Sequence, residues 1–462
     1  MNKLQCISPV DNSVYVERAL ASENEIDSAL DAAAGAQRAW RCTPLAERSA
    51  IVRRATELFT GRREKLAEEL CWMMGRPIRY AGGEILGFAE RANTMAEIAG
   101  AALADIRLPD KTGFTRFIRR EPLGISLVIA PWNYPYLTAV NAAVPALLAG
   151  NAVLLKHSAQ TPLCAERMVE AFAEAGLPQG VFQFLHLDHG ATERLIRAAE
   201  INHIAFTGSV AGGAMVERAA AGRFIHVGLE LGGKDPAYVR ADADLEHAVA
   251  TVVDGAYFNS GQSCCAIERV YVHERLFDEF VARAVELVRQ YRLGRPDDPA
   301  TTLGPLVRAE AADFVRAQVD EAVAAGATAH IDASEFPMDR RGTQYLAPQL
   351  LTNVHGGMRV MREESFGPVV GVQNVRDDGE ALELMNDSEF GLTAAIFSRD
   401  EQAALALGDR LETGTVFLNR CDYLDPALAW TGVKNSGRGC SLSGVGFEHL
   451  TRPKSFHFKV QP

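Results

Sequence analysis

The sequence predicts an α/β fold built on parallel sheets that helices cover on both faces. From Ile125 onward, short apolar runs without polar alternation are separated by helical stretches, the pattern of strands buried on both sides. A second series of the same kind follows Asp244. The 462 residues are 48% hydrophobic and 23% charged, enough apolar material for two or three domains.

Residues 26–40 and 45–74 carry apolar side chains at three- and four-residue spacing, so helices are expected there. Pro44 sits where a helix would begin. Gly75, Pro77, Gly82 and Gly83 interrupt the pattern before a further helix through Leu103. No charged residue occurs between Glu121 and Lys156, yet Pro131, Pro135 and Pro145 break that stretch, which opposes a membrane span. It reads as a strand (GISLVIA), a loop (PWNYPY), a helix (AVNAAVPALLA) and a strand (AVLLK). VFQFL, HIAFT, FIHVGLE and PAYV continue as strands, with helices over 164–175 and 191–199. In the second series, 244–257 precedes a strand over 269–272 and helices over 276–291 and 308–325. GPVVGVQNV, AAIFS and GTVFLN follow as strands. TRFIRREP and the C-terminal SFHFKV alternate apolar with polar residues, so they are expected as edge strands that pair with each other or with a partner subunit.

The net charge of −12 opposes nucleic-acid and anionic-membrane partners, which reward a basic surface. Eight cysteines are scattered without a CxxC pair, so no metal site is expected. Cys264 and Cys265 are adjacent, too close for an undistorted disulfide. The N-terminus lacks a sustained apolar segment, so no secretory signal is apparent, and reduced thiols in a cytoplasmic enzyme fit best.

Several short motifs carry chemistry. GxGxxG is absent, but HIAFT runs into GSVAGG, and Gly208, Ser209, Gly212 and Gly213 put small residues at a strand-to-helix turn. Backbone N–H groups there either face an anion or form a turn without a ligand. Lys156 ends an apolar strand, at the edge where parallel sheets bind ligands; it reads as a ribose donor or as a solvated strand end. Glu230 lies inside the apolar LELGG, which suits either a carboxyl tuned upward as a base or an ion pair such as one with Lys234.

PWNYP, KxSxxTP, FTGS, LELGG, GQSC and EESFGP begin at 131, 156, 206, 229, 261 and 363. In that order and spacing the chain resembles the aldehyde dehydrogenase superfamily over essentially its whole length. The resemblance implies two Rossmann-like doubly wound parallel-sheet domains plus a small β oligomerisation hairpin. An NAD(P)-binding domain would span 1–103 and 123–231, a catalytic domain 232–446, and oligomerisation segments 104–122 and 447–462. A homodimer or homotetramer is implied.

It also implies oxidation of an aldehyde to the acid, with hydride transfer to NAD or NADP. Cys264 matches the nucleophile that forms the hemithioacetal. Asn133 matches the oxyanion donor, acting with the Cys264 N–H, and Glu230 matches the base that hydrolyses the thioester. Lys156 is assigned to the adenosine ribose and Gly208 with Ser209 to the pyrophosphate region; Gly213 is a further cofactor-binding residue, and Ser158 with Lys156 would donate to a 2′-phosphate. Glu364 would hold the nicotinamide ribose, with Phe366 packed against it; Ala130, Pro131, Trp132 and Leu231 would line the cofactor cleft. Coenzyme A-acylating relatives do not need the base, so Glu230 favours hydrolysis. A catalytically idle binding protein would have no reason to keep Cys264, Glu230 and Asn133 together.

Two positions depart from the family pattern. Ala159 stands where members that prefer NAD usually carry Glu, so acceptance of NADP is expected. Ala429, Trp430, Thr431 and Gly432 replace a PFGG-like tetrapeptide before KNSG. Tyr134, Phe258 and Trp430, with Tyr136 and Tyr423, are candidates for a partly aromatic channel for an apolar aliphatic or aromatic aldehyde; each is equally at home in a core. Arg420 and Arg269 are candidate clamps for a carboxylate, the alternative being a succinate-semialdehyde type of substrate.

Overall fold

The computed structural model describes residues 3–421 and 423–460. Positions 1, 2, 461 and 462 of the expected domain and oligomerisation ranges lie outside them. A six-stranded sheet runs in the order Gly437–Arg438, His226–Glu230, Ile201–Thr207, Ile125–Ala130, Ala152–His157, Phe182–Phe184. Its strands are parallel except for Gly437–Arg438. Every residue of Ile125–Ala130 is buried, which is why that run shows no polar alternation. The chain winds outward from Ile125–Ala130 in both directions, so the strand order reverses between it and Ile201–Thr207, the place where open parallel sheets leave a ligand crevice.

A seven-stranded sheet runs in the order Thr328–Ala329, Gln349–Thr352, Val369–Val375, Ile267–His273, Asp235–Val239, Thr393–Phe397, Thr415–Leu418. Only Thr328–Ala329 is antiparallel to its neighbour. Thr451–Lys459 pairs antiparallel with Phe114–Pro122, which also pairs with Ile106–Arg107. The alternating segments therefore do pair within the chain, and Phe117 stacks on Phe456 with ring centroids 4.5 Å apart.

Several expectations are corrected. Residues 45–74 form two helices, Leu45–Thr60 and Arg63–Met74, broken at Gly61 and Arg62. Gly82 and Gly83 lie inside the helix Ile78–Ala102 instead of preceding it. A Cβ on Gly82 would come within 2.7 Å of Arg63 Nε, so glycine here serves close helix packing. The N-terminus opens with an unforeseen hairpin, Lys3–Ile7 with Val14–Ala19. Gln349–Thr352 is a strand that the apolar pattern did not mark. Among the described residues no helix is long and apolar enough to cross a membrane.

The two large sheets meet at unlike edges. Ile125–Ala130, Ala152–His157, Ile201–Thr207 and His226–Glu230 end together, with Ala130 beside His157 and Thr207 beside Glu230. In the seven-stranded sheet, Cys264 and Glu364 precede the starts of Ile267–His273 and Val369–Val375. Candidate residues thus come from the carboxyl edge of one sheet and the amino edge of the other. Only the first follows from the general rule for parallel sheets.

Candidate active site

The nucleophile candidate sits at the end of a strained turn. Asn259, Ser260 and Gly261 all have left-handed backbone, with φ of 53°, 57° and 71°. A Cβ on Gly261 would lie 2.2 Å from the carbonyl oxygen of Gly367, so only glycine fits. Two non-glycine residues in this region cost on the order of 1–3 kcal/mol each, and a buried network holds them. Gln262 Nε2 donates to the Asn259 carbonyl at 3.1 Å, and Gln262 Oε1 accepts from Val307 N at 2.8 Å. Ser260 Oγ donates to the Gly304 carbonyl at 2.7 Å. Arg76 Nε donates to Asn259 Oδ1 at 3.1 Å and its Nη2 to the Asn133 carbonyl at 2.6 Å, while its Nη1 pairs with the buried Glu84. Arg76, Glu84 and Asn259 were not singled out from the sequence. The one signal is Arg76 itself, a charge enclosed by Gly75 and Pro77 after the apolar run 70–74.

Cys264 is half-buried and Cys265 fully buried. A hydrogen bond with Cys265 and burial raise the Cys264 thiol well above its ordinary range. At rest the nucleophile candidate is therefore a thiol. The backbone N–H of Cys264 donates to no group among the described residues. Asn133 Nδ2 spends one amide hydrogen on the Gln262 carbonyl at 3.2 Å, and the other is unspent.

Glu230 and Cys264 line one cavity. Lys234 does not pair with Glu230: it is fully buried against Glu268 and donates to Ser365 Oγ at 3.1 Å. Instead, Glu230 accepts from Ser441 Oγ at 2.5 Å and from Thr207 Oγ1 at 3.2 Å. Burial raises the Glu230 carboxyl, and those hydroxyls oppose the shift. Glu230 also faces a second cavity with His203, His226 and Cys440 on its walls, which gives the carboxyl open space on two sides.

The glycines of LELGG knit two motifs together. A Cβ on Gly232 would meet Glu364 Oε2 at 2.4 Å, and one on Gly233 would meet the Cys264 carbonyl at 2.4 Å. Gly233 N donates to Glu364 Oε1 at 3.1 Å. Burial and the neighbouring Glu268 push the Glu364 carboxyl up to about 8. Glu268 anchors that segment by accepting from Ser365 N at 2.8 Å and Phe366 N at 2.9 Å. Phe366 meets Trp132 edge-on, ring centroids 5.7 Å apart.

Ala130 ends its strand, Lys156 is the last but one residue of the adjacent strand, and Pro131 and Trp132 follow Ala130 in the loop. Lys156 is half-buried without a hydrogen bond or ion pair among the described residues, and burial lowers its pKa. Ser158 Oγ accepts from Gln160 N at 3.2 Å, leaving its proton available, and Ala159 is exposed. The helix that follows Ser209 begins at Val210, so Gly212 and Gly213 lie inside it and not in the turn where the sequence placed them. Ser209 Oγ caps it by accepting from Gly212 N at 3.2 Å. Gly208 and Gly213 also make room for side chains: a Cβ would lie 2.7 Å from the Phe206 ring and 2.6 Å from Leu231 Cδ2, respectively.

Of the aromatic candidates, Tyr134 and Trp430 line the cavity, together with Leu137, Leu392, Leu424 and Arg91. Phe258 is not on that wall and packs on Tyr80, centroids 5.4 Å apart. Tyr136 is a core residue against Phe59, and Tyr423 donates to Glu90 at 2.6 Å. Neither carboxylate-clamp candidate faces Cys264. Arg269 is fully buried and donates to the carbonyls of Lys234, Leu384, Met385 and Asp387. Arg420 is exposed over the Tyr423 ring.

The model of the aldehyde dehydrogenase family matches residues 1–456. The chain belongs to the aldehyde dehydrogenase family. It is 38% identical over 431 residues to the succinate semialdehyde dehydrogenase [NAD(P)+] Sad of Escherichia coli strain K12, covering 93% of this chain and 92% of that one. It is also 38% identical over 441 residues to a succinate-semialdehyde dehydrogenase [NADP(+)] of Deinococcus radiodurans, covering 95% and 92%. The succinic semialdehyde dehydrogenase of Streptococcus pyogenes, solved with NADP+, superposes with a TM-score of 0.94 at 28% identity, over 98% of this chain and 99% of that one. The fold class, the oxidoreductase class and the NAD(P) cofactor class expected of this aldehyde dehydrogenase are borne out.

Proposed function

We propose that the protein oxidises a carboxylate-bearing aldehyde of the succinate-semialdehyde type to its acid, with NADP accepted alongside NAD. The single observation that carries the reaction is the shared cavity, whose wall carries both a half-buried thiol and a half-buried carboxyl. The relatives' names support the substrate class. An apolar aldehyde is the second reading, favoured by Leu137, Leu392, Leu424 and Trp430 on the wall.

Cys264 Sγ attacks the aldehyde carbon, and its proton passes to the carboxyl of Glu230. The Cys264 N–H and the unspent Asn133 amide hydrogen receive the developing oxyanion; one such donor contributes about 3 kcal/mol to the barrier reduction. When bound, NAD(P)+ supplies the hydride acceptor that turns the tetrahedral adduct into a thioester. Once Glu230 has released the thiol proton to solvent, its carboxylate takes a proton from water as the water oxygen attacks that thioester, and it returns this proton to the leaving Cys264 sulfur. The second cavity at Glu230 gives water a place from which to approach.

The cofactor residues fit a dinucleotide. Lys156 and Ser158 keep donors free at the strand reversal, and Ala159 presents no acid to repel a 2′-phosphate. In this reading the six-stranded sheet and its helices bind the dinucleotide, and the seven-stranded sheet presents Cys264. Exposed Phe458 and Val460 near the C-terminal strand support a homo-oligomer, and the unbridged thiols of Cys6, Cys71, Cys164, Cys264 and Cys265 support a cytoplasmic setting.

Absorbance at 340 nm with aliphatic, aromatic and carboxylated aldehydes tests the reaction and its substrate. Cys264→Ala is expected to lose at least about 1,000-fold in kcat/KM; oxidation at the wild-type rate removes the nucleophile assignment. A preference for NAD over NADP of about 100-fold would refute the cofactor reading.

A further inference from the structure

Arg91 lies on the helix Ile78–Ala102 and on the wall of the cavity that holds Cys264 and Glu230. It is 8% exposed. Its Nη1 donates to the Leu137 carbonyl at 2.8 Å and to Asn141 Oδ1 at 3.1 Å. Nε and Nη2 donate to nothing among the described residues, and no carboxylate pairs with the guanidinium.

The surrounding acids are otherwise occupied. Glu84 pairs with Arg76, Glu90 accepts from the Tyr423 hydroxyl, and Glu230 accepts from Ser441 and Thr207. Glu230, Glu84 and Glu90 still act on Arg91 through their charge, but none of them hydrogen-bonds it, and a buried cation is costly until its donors are satisfied. A guanidinium edge that remains unspent in a ligand cavity is a fork for a planar anion. Arg269 shows the contrast: also buried, it donates from all three nitrogens, to the carbonyls of Lys234, Leu384, Met385 and Asp387 and to the Tyr271 hydroxyl, and it does not line the cavity.

From this geometry we infer that Arg91 determines specificity by receiving the carboxylate of an aldehyde substrate, holding the carbonyl end toward Cys264. This rests on the oxidation reading above and names the residue that selects the acid-bearing substrate. Its occupant is a short aldehyde with a terminal carboxylate.

The test uses the full-length enzyme with NADP+, succinate semialdehyde and the uncharged butanal as probes. The quantity read is the ratio of kcat/KM for succinate semialdehyde to that for butanal. In Arg91→Met this ratio is expected to fall 10- to 100-fold, chiefly through KM for the acid. Arg91→Lys should keep an intermediate ratio, since it retains charge and loses the fork. If both aldehydes lose activity equally in Arg91→Met, Arg91 only supports its helix or Glu230, and the inference is overturned.

A second readout is independent of the substrate: the rate of Cys264 alkylation by iodoacetate relative to iodoacetamide. Anion capture by Arg91 predicts that this ratio drops at least fivefold in Arg91→Met, and in Arg91→Lys to a lesser degree. An unchanged ratio overturns the inference. A wild type that prefers butanal, with the alkylation ratio still dependent on Arg91, instead overturns the substrate class proposed above and leaves the anion site standing.

Discussion

The two sides of the nucleophile loop differ in how their hydrogen-bonding capacity is spent. Behind the loop, Arg76, Asn259 and Gln262 are buried and bonded to one another and to backbone, and Glu84 neutralises the arginine. In front, Cys264 N–H, one Asn133 amide hydrogen, two arms of Arg91 and the Lys156 ammonium are unspent. Saturated groups fix geometry, because removing any one strands a buried partner. Unsaturated groups are the ones to which the proposed reaction gives a ligand. The difference separates support from chemistry without reference to residue type: both sides contain an arginine, an asparagine and a carboxyl.

That comparison is broken most severely at Gly261. Gly261→Ala places a Cβ against the Gly367 carbonyl at positive φ, so we expect a loss of about 2–4 kcal/mol of stability by denaturant unfolding. Activity should fall with it; a wild-type unfolding midpoint would show that the loop is not strained as described. Asn259→Ala removes one node of the rear network and leaves Arg76 Nε unpaired. Turnover should drop about 10- to 100-fold through kcat, since nucleophile placement and not binding is disturbed; a change in KM alone would contradict this.

Charge state sharpens the front side. Because the Cys264 pKa is raised, the reactive thiolate is a minor species at neutral pH, and its fraction grows with pH until the raised pKa is reached. Iodoacetamide inactivation of the free enzyme should therefore accelerate roughly tenfold per pH unit between 7 and 9. A plateau below pH 7 would mean a depressed thiol. The smallest effect is expected at Cys265: Cys265→Ala removes the hydrogen bond that contributes most to raising Cys264. Alkylation at pH 7 should quicken about three- to tenfold, and slower alkylation would give the second thiol an activating part.

Much of this was legible in the chain. Ile125–Ala130 and Ala152–His157 announced themselves because strands buried on both faces lose polar alternation. The N-terminal hairpin did not, because short strands beside long amphipathic helices leave no distinct period. Gly82 and Gly83 read as breakers, while the structure uses the missing Cβ of Gly82 to seat Arg63. Cys264, Glu230 and Asn133 were visible through motifs that hold them in fixed local settings. The network behind them was not: Arg76 meets Asn259 across 183 positions, and Arg91 meets Asn141 across 50. No local pattern announces which arginine will end buried with a free edge. Arg269 and Arg420, chosen from position in the chain, proved to be a backbone tie and a surface stack.

In the proposed reaction Glu230, on the wall of the cavity that holds Cys264, hydrolyses what Cys264 captures. Stopped-flow absorbance at 340 nm of Glu230→Gln, mixed with NADP+ and excess succinate semialdehyde, tests it directly. We expect a burst of about one NADPH per active Cys264 followed by a steady rate at least 100-fold below wild type, because the thioester accumulates. An undiminished steady rate would contradict the claim.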